Sequence, residues 1–271
     1  MYTTPHPIVN LLLADLLAGH RRVLDDRLVG LYLFGSLVSG DFDPARSDVD
    51  LLAALADDLD DETAERLRLF HDDLAARYPT WAGRIEVLYL SLEGLRNCRT
   101  EARMGAVISP GEPFHPRELN RDWVLNWYMI REVGVTLFGP PPQAVIPHIS
   151  RDEFIQIVRE HLDWWRGAVV EGNEIEERRG SQAYVVLTMC RALYSMAQGL
   201  QASKPAAAAW ASTAYPQWAG LIERAQGWRL ERSDDPLDAP DLAEVRAFVA
   251  FTVARAAGGE HQSLFEKFPG D

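Results

Sequence analysis

Cysteine is nearly absent: Cys98 and Cys190 are the only two in 271 residues, too few for a disulfide framework and without the paired spacing of a zinc site. They read as buried, inert thiols. Basic residues are also in short supply, 27 Lys and Arg against 40 Asp and Glu, for a formal net charge of −13 with histidine neutral. That balance excludes a surface built to coat a polyanion, so no nucleic-acid partner is expected. Long apolar runs are missing as well. Leu11 to Leu17 is interrupted by Asp15 and follows no basic segment, unlike a signal peptide. Ala247 to Ala254 lies between Arg246 and Arg255, far short of the roughly 18 apolar residues a membrane span needs. A cytoplasmic chain with no membrane partner is expected. The seven histidines show no metal spacing: His161 falls on an apolar stripe, and His115 and His148 adjoin prolines.

What remains is globular in character, with 47% hydrophobic and 25% charged residues, and 271 residues suffice for one large or two ordinary domains. Ile8, Leu11, Leu12, Leu16 and Leu17 recur at helical spacing over about 7–25. Leu28 to Phe34 is a short apolar run that ends at Gly35-Ser36, a buried strand closing into a turn. After a loop rich in Gly, Asp, Pro and Ser, Asp48 to Ala54 reads as a second strand, Asp61 to Arg77 as a helix and Arg84 to Leu90 as a third strand. Trp123 to Arg131 fits either helix or strand. Phe138 to Ser150 is dense in proline and reads as a linker. Beyond it the period is helical. Phe154, Ile157, Val158, His161, Leu162 and Trp165 form one stripe opened by a Ser150/Glu153 capping box, with Trp164 and Trp165 expected in the core. Further helices are expected over about 181–199, 206–228 and 242–257. The division is therefore placed at 1–145 and 146–271.

Chemistry concentrates in the first part. Asp48 and Asp50, two apart on a strand, point to one face. Like charges so placed call for a cation, Mg²⁺ above all. Alone, an Asp-X-Asp tripeptide is more often a solvated strand start. Its company adds weight: a Gly-Ser turn can approach a phosphate closely, and Glu86 stands in mid-strand between Ile85 and Val87, where a carboxylate needs a reason.

Gly35-Ser36, the spacer, Asp48-Val49-Asp50 and Glu86 resemble the Gly-Ser … Asp-X-Asp … Asp/Glu pattern of the polymerase-beta-like nucleotidyltransferases. Within them the chain is most similar to the streptomycin/spectinomycin (3'')(9)-type aminoglycoside adenylyltransferases. That similarity extends through Gly139-Pro140, Val185 to Ser195 and Lys204 to Trp210. The resemblance implies an α/β domain with a five-stranded mixed sheet, then an all-α bundle, with ATP and substrate held between them. Asp48 and Asp50 would bind Mg²⁺ together with Glu86, which would also be the catalytic base. Gly35, Ser36 and Ser47 would hold the triphosphate of ATP, the co-substrate, and Arg191 and Lys204 would neutralise it. The reaction implied is transfer of AMP to a hydroxyl of a small cationic acceptor, an aminoglycoside, with release of pyrophosphate. The alternative is a nucleotide-binding regulatory or antitoxin-like protein without an acceptor.

Two readings concern the second half. On a helix over 181–199, Arg191 shares a face with Tyr184, Thr188, Ser195 and Gln198, opposite Val185, Val186, Met189 and Leu193, so it should point away from the core. The chain departs from the streptomycin-modifying enzymes where they carry an acidic residue before that helix. Ser181 or Gln182 stands there, and Glu174, Glu176 and Glu177 come a few residues earlier.

Overall fold

The computed structural model describes residues 3–97, 99–109, 112–172, 175–231 and 235–258. The expectations for Cys98 and Glu174 lie outside them. By internal contacts the chain divides into Met1–Ile157 and Val158–Asp271.

The first unit contains α1 (Pro7–Leu24), β1 (Leu28–Phe34), α2 (Ser36–Ser39), β2 (Val49–Leu55), α3 (Asp61–Arg77), β3 (Ile85–Ser91), α4 (Leu92–Asn97), β4 (Arg103–Ser109), β5 (Glu112–Leu119), α5 (Val124–Val133), β6 (Val135–Phe138) and α6 (Pro142–Val145). Its sheet has six strands, in the order β5-β4-β3-β2-β1-β6, where the resemblance implied five. Only β2 and β3 pair in parallel. Alternation along the strands sends Leu31, Leu33, Val49, Leu51, Ala53, Ile85, Val87 and Tyr89 to one face, packed with Leu12, Leu16, Leu67, Phe70 and Leu74 of α1 and α3. The opposite face carries α4 against β3 and α5 against β1. Trp123 to Arg131 is therefore helical, with Val124, Trp127 and Ile130 buried at i, i+3 and i+6.

Within the α1/α3 core lies one polar group. His20 Nε2 and His71 Nε2 stand 2.7 and 2.6 Å from the Tyr89 hydroxyl, and His20 Nδ1 stands 2.6 Å from the Leu16 carbonyl. Burial lowers the pKa of His20 to about 4 and that of His71 to about 3. Both imidazoles are neutral near pH 7.

The proline-dense segment is anchored on this unit. Gly139, at φ +86°, lies so close to β1 that a Cβ would stand 2.1 Å from the Val29 carbonyl oxygen. The Tyr32 hydroxyl donates to Pro140 O at 3.0 Å, Arg131 donates to Gln143 O and Ile146 O, and Arg99 donates to Pro147 O and His148 O. The segment read as a linker also holds the short helix α6, where Pro142 takes the first helical position and its missing N–H is not needed.

α7 (Arg151–Trp165) runs from the first unit into the second and opens with the Glu153 amide donating to Ser150 Oγ at 3.1 Å. A π-helical turn follows at Arg166–Glu171, then α8 (Arg179–Gln198), α9 (Lys204–Ala214), α10 (Ala219–Leu230) and α11 (Ala239–Ala257). α8 is apolar over much of its circumference and packs against α9, α10 and α11. The single helix expected over 206–228 is broken at Pro216, which cannot donate in the ladder and bars helical geometry at Tyr215. Trp165 is buried, but Trp164 is half-exposed, correcting the expectation that both fill the core. Cys190 is buried and its thiol is pushed up to about 12 by desolvation, an inert group.

Candidate active site

The acidic site is a product of strand register. β2 and β3 run parallel with Val49 opposite Ile85 and Asp50 opposite Glu86, and antiparallel pairing sets Phe34 opposite Asp50. Asp50 and Glu86 thus lie side by side on the face away from α1 and α3. β2 begins at Val49, one residue later than expected, and Asp48 is the last residue of the preceding loop. All three carboxylates are half-buried.

Gly35 completes the row. It follows β1 at φ +70°, and a Cβ there would stand 1.8 Å from Asp50 Oδ2. Only glycine lets the turn approach that carboxylate. Ser36 is the first residue of α2, whose Val38 and Ser39 amides donate to Gly35 O at 3.2 and 3.0 Å. Ser47 is buried, and its hydroxyl accepts the Asp43 amide at 2.9 Å while its own amide donates to Asp43 O at 2.8 Å. It closes the loop on itself and keeps its hydroxyl hydrogen for another acceptor.

The Glu86 carboxyl is raised above its ordinary range, by desolvation first, then by the charge of Asp48, with Glu112 adding and Arg117 opposing. A carboxylate so placed binds a proton more readily than one in water, the requirement for a general base. Glu112 and Arg117 come from the β4–β5 hairpin. Arg117 stands 3.7 Å from Glu112 and its guanidinium lies 5.5 Å from the Trp123 ring centre. Sequence reasoning missed both, because β5 alternates no apolar residues.

Among the described residues no three His, Cys, Asp or Glu side chains have the spacing of a protein-only metal cage. Mg²⁺ does not use one: it keeps waters and takes one or two carboxylates plus phosphate oxygens. Two oxygen-donor side chains beside a turn that admits close approach fit that ion. A cavity of about 230 Å³ elsewhere in this unit is lined by His71, Trp81, Ile85 and Ile108, on the α1/α3 face, and includes none of Asp48, Asp50 and Glu86.

Arg191 and Lys204 stand on adjacent helices of the second unit. Arg191, in mid-α8, is half-buried; of its face, Ser195 is buried while Tyr184 is half-exposed. Lys204 is the first residue of α9, whose cap Ser203 accepts the Ala206 amide, and its Nζ lies 5.0 Å from the Tyr184 ring centre. Ser181 and Gln182 fall inside α8, and Gln182 is buried, donating to Glu176 O at 2.8 Å. Glu177 pairs with Arg246 at 2.8 Å, a structural use of that carboxylate.

Comparison with known proteins shows what the chain is similar to. A nucleotidyltransferase domain model matches residues 18–87, which hold Gly35, Asp48, Asp50 and Glu86, and a model of the aminoglycoside adenylyltransferase C-terminal domain matches residues 144–255. An aminoglycoside (3'')(9) adenylyltransferase of Escherichia coli is 26% identical over 91% of this chain and 95% of its own length. That of Rhizobium radiobacter is 25% identical over 91% and 93%. In fold the chain resembles the spectinomycin adenyltransferase AAD(9) of Enterococcus faecialis, whose crystal structure holds ATP and spectinomycin. The TM-score is 0.70 at 16% identity, over 92% of this chain and 99% of that one. No helix among the described residues is long and apolar enough to cross a membrane. Two domain models in this order, and relatives matched along nine-tenths of the chain, make it similar to the aminoglycoside adenylyltransferases, with a nucleotidyltransferase domain followed by their helical C-terminal domain.

Proposed function

We propose that the chain is an adenylyltransferase that moves AMP from ATP to a hydroxyl of a small cationic acceptor of the aminoglycoside class, releasing pyrophosphate. The observation that carries this reading is the row Phe34–Asp50–Glu86 with Gly35 against Asp50. It places a desolvated carboxylate beside two that suit a phosphate-bound cation, and the relatives supply the acceptor class.

In this reading Gly35 and Ser36 admit the triphosphate to the end of the sheet, and the remaining hydrogen of Ser47 donates to it. Asp48 and Asp50, with Glu86, would hold Mg²⁺, which when bound would supply charge withdrawal from the α-phosphate and the leaving pyrophosphate. Glu86 takes the proton of the acceptor hydroxyl as its oxygen attacks phosphorus, and the bond to the β-phosphate oxygen breaks. Arg191 and Lys204 supply positive charge for the triphosphate. A net charge of −13 favours the approach of a polycationic acceptor.

The test is pyrophosphate release from ATP and Mg²⁺ across a panel of aminoglycosides, with mass spectrometry of the acceptor. Release that depends on one member, with adenylylated product, supports the reading. ATP binding with no product from any member refutes it in favour of a binding-only protein.

A further inference from the structure

Arg84, immediately before β3, is the residue on which the loop carrying Asp48 hangs. Its backbone oxygen accepts the Val49 amide at 2.9 Å, continuing the β2–β3 ladder toward the acidic end. Its side chain turns back onto the loop. One terminal nitrogen donates to Pro44 O at 3.0 Å and also to Ser47 O, and the other lies 3.5 Å from Thr80 O. The guanidinium lies 4.4 Å from the ring centre of Trp81, which is buried and stacked on Phe42 at 6.1 Å and 13°. A cation two residues before Glu86 would be expected to pair with that carboxylate. Its partners here are carbonyl oxygens and a ring.

Those partners lie in the second half of the loop. Pro44 stands at its middle, and Ser47 O belongs to the peptide that leads into Asp48. Between them the chain turns on itself, with the Arg46 and Ser47 amides both donating to Asp43 O, at 3.0 and 2.8 Å. Apart from Pro44, each residue of such a turn keeps two soft dihedrals, so bonds to neighbouring segments set its position relative to β3. The guanidinium makes such bonds. One terminal nitrogen holds both loop carbonyls while the other reaches toward Thr80 O and the Trp81 ring lies under the guanidinium plane, a combination of second donor and stacked plane that a lysine ammonium lacks.

We propose that Arg84 is a positioning residue for Asp48: by holding the Pro44 and Ser47 carbonyls against β3 it sets where the Asp48 carboxylate stands relative to Asp50 and Glu86. The proposal rests on the adenylyltransferase reading only for its effect on rate. Its structural claim stands apart.

The experiment compares wild type, Arg84→Ala and Arg84→Lys in the full chain by amide hydrogen exchange and by AMP-transfer kinetics at saturating Mg²⁺. Arg84→Met, which keeps an unbranched stem over Trp81, replaces Arg84→Ala if that variant does not fold. Exchange at Arg46 and Ser47 should rise about 10-fold or more in Arg84→Ala while peptides from α1 and α3 stay as in wild type. The kcat should fall about 10- to 100-fold with the acceptor KM within about 2-fold, as expected when an interaction is lost in the transition state. Arg84→Lys should recover only part of both. Unchanged exchange over 43–48 overturns the proposal, as does faster exchange with unchanged kcat, or a fall in kcat reproduced in full by a higher acceptor KM. If wild type transfers AMP to nothing, the functional reading fails, and the exchange comparison still decides whether Arg84 holds the loop.

Discussion

Acidification should destabilise the first unit before most of its carboxylates titrate, because His20 and His71 are held neutral in its core. Their ordinary pKa of 6.5 falls to about 4 and about 3 through burial, and each protonation also opposes the other. A histidine with a depressed folded pKa contributes fully above 6.5, and that contribution is lost as pH falls from there toward the folded value. At pH 5 the unfolded chain has protonated both histidines and the folded chain neither, so each costs roughly 2 kcal/mol and the pair about 4 kcal/mol relative to neutral pH. Glu86 works in the opposite sense, since its raised carboxyl gains a proton on folding as pH falls, and it trims the loss. Against a typical stability of about 5–15 kcal/mol this is a large share. Hydrogen exchange of slowly exchanging β1–β3 amides, measured at pH 7 and pH 5 and corrected for intrinsic rate, reads the change directly. His71→Met, which costs stability at pH 7, should show about half the wild-type difference between the two pH values. An equal difference in both proteins would refute the assignment to these histidines.

Asp50→Asn should abolish AMP transfer and leave the fold intact, with a thermal midpoint in the absence of Mg²⁺ equal to or above wild type, because one of three neighbouring carboxylates is gone; transfer at wild-type rate sinks the cation role. Glu86→Gln should keep Mg·ATP affinity by calorimetry while kcat falls about 10²- to 10⁴-fold, and a collapse of affinity instead would make Glu86 chiefly a ligand. Gly35→Ala meets both the Asp50 carboxylate at 1.8 Å and a φ of +70°. It should cost roughly 1–3 kcal/mol by thermal unfolding and more activity than stability; a fully active Ala variant contradicts the close approach.

The parts of the fold that were plain in the sequence are those whose burial is one-sided. α3 spans Asp61–Arg77 and β1 spans Leu28–Phe34, both as the apolar pattern places them. The β4–β5 hairpin escaped because it faces solvent: β5 carries Pro113 and Pro116, tolerated only because β5 is the sheet edge, and most of its residues are exposed. β6 is four residues long and never fully buried, too short to show a period. In the site, the spacing of Asp48, Asp50 and Glu86 was visible, but their juxtaposition depends on a parallel register that no local pattern encodes. Arg84 was legible as a residue two before Glu86. That its side chain reaches back to residues 44 and 47 is a tertiary fact.

The Leu16 carbonyl does more than accept one hydrogen bond. A carbonyl can only accept, so His20 must carry its proton on Nδ1 and, being neutral, present a bare Nε2. Tyr89 then has to spend its single hydrogen on His20, which leaves its oxygen to receive the Nε2 proton of His71. His71 ends with a bare Nδ1, and of the four ring nitrogens in this group it is the one without a partner. One main-chain oxygen on α1 thereby fixes opposite tautomers on two helices. Nitrogen-15 spectra of the imidazoles should show His20 as the Nδ1–H form and His71 as the Nε2–H form. Tyr89→Phe should release His71 to exchange between forms while His20, still tied to Leu16, does not change.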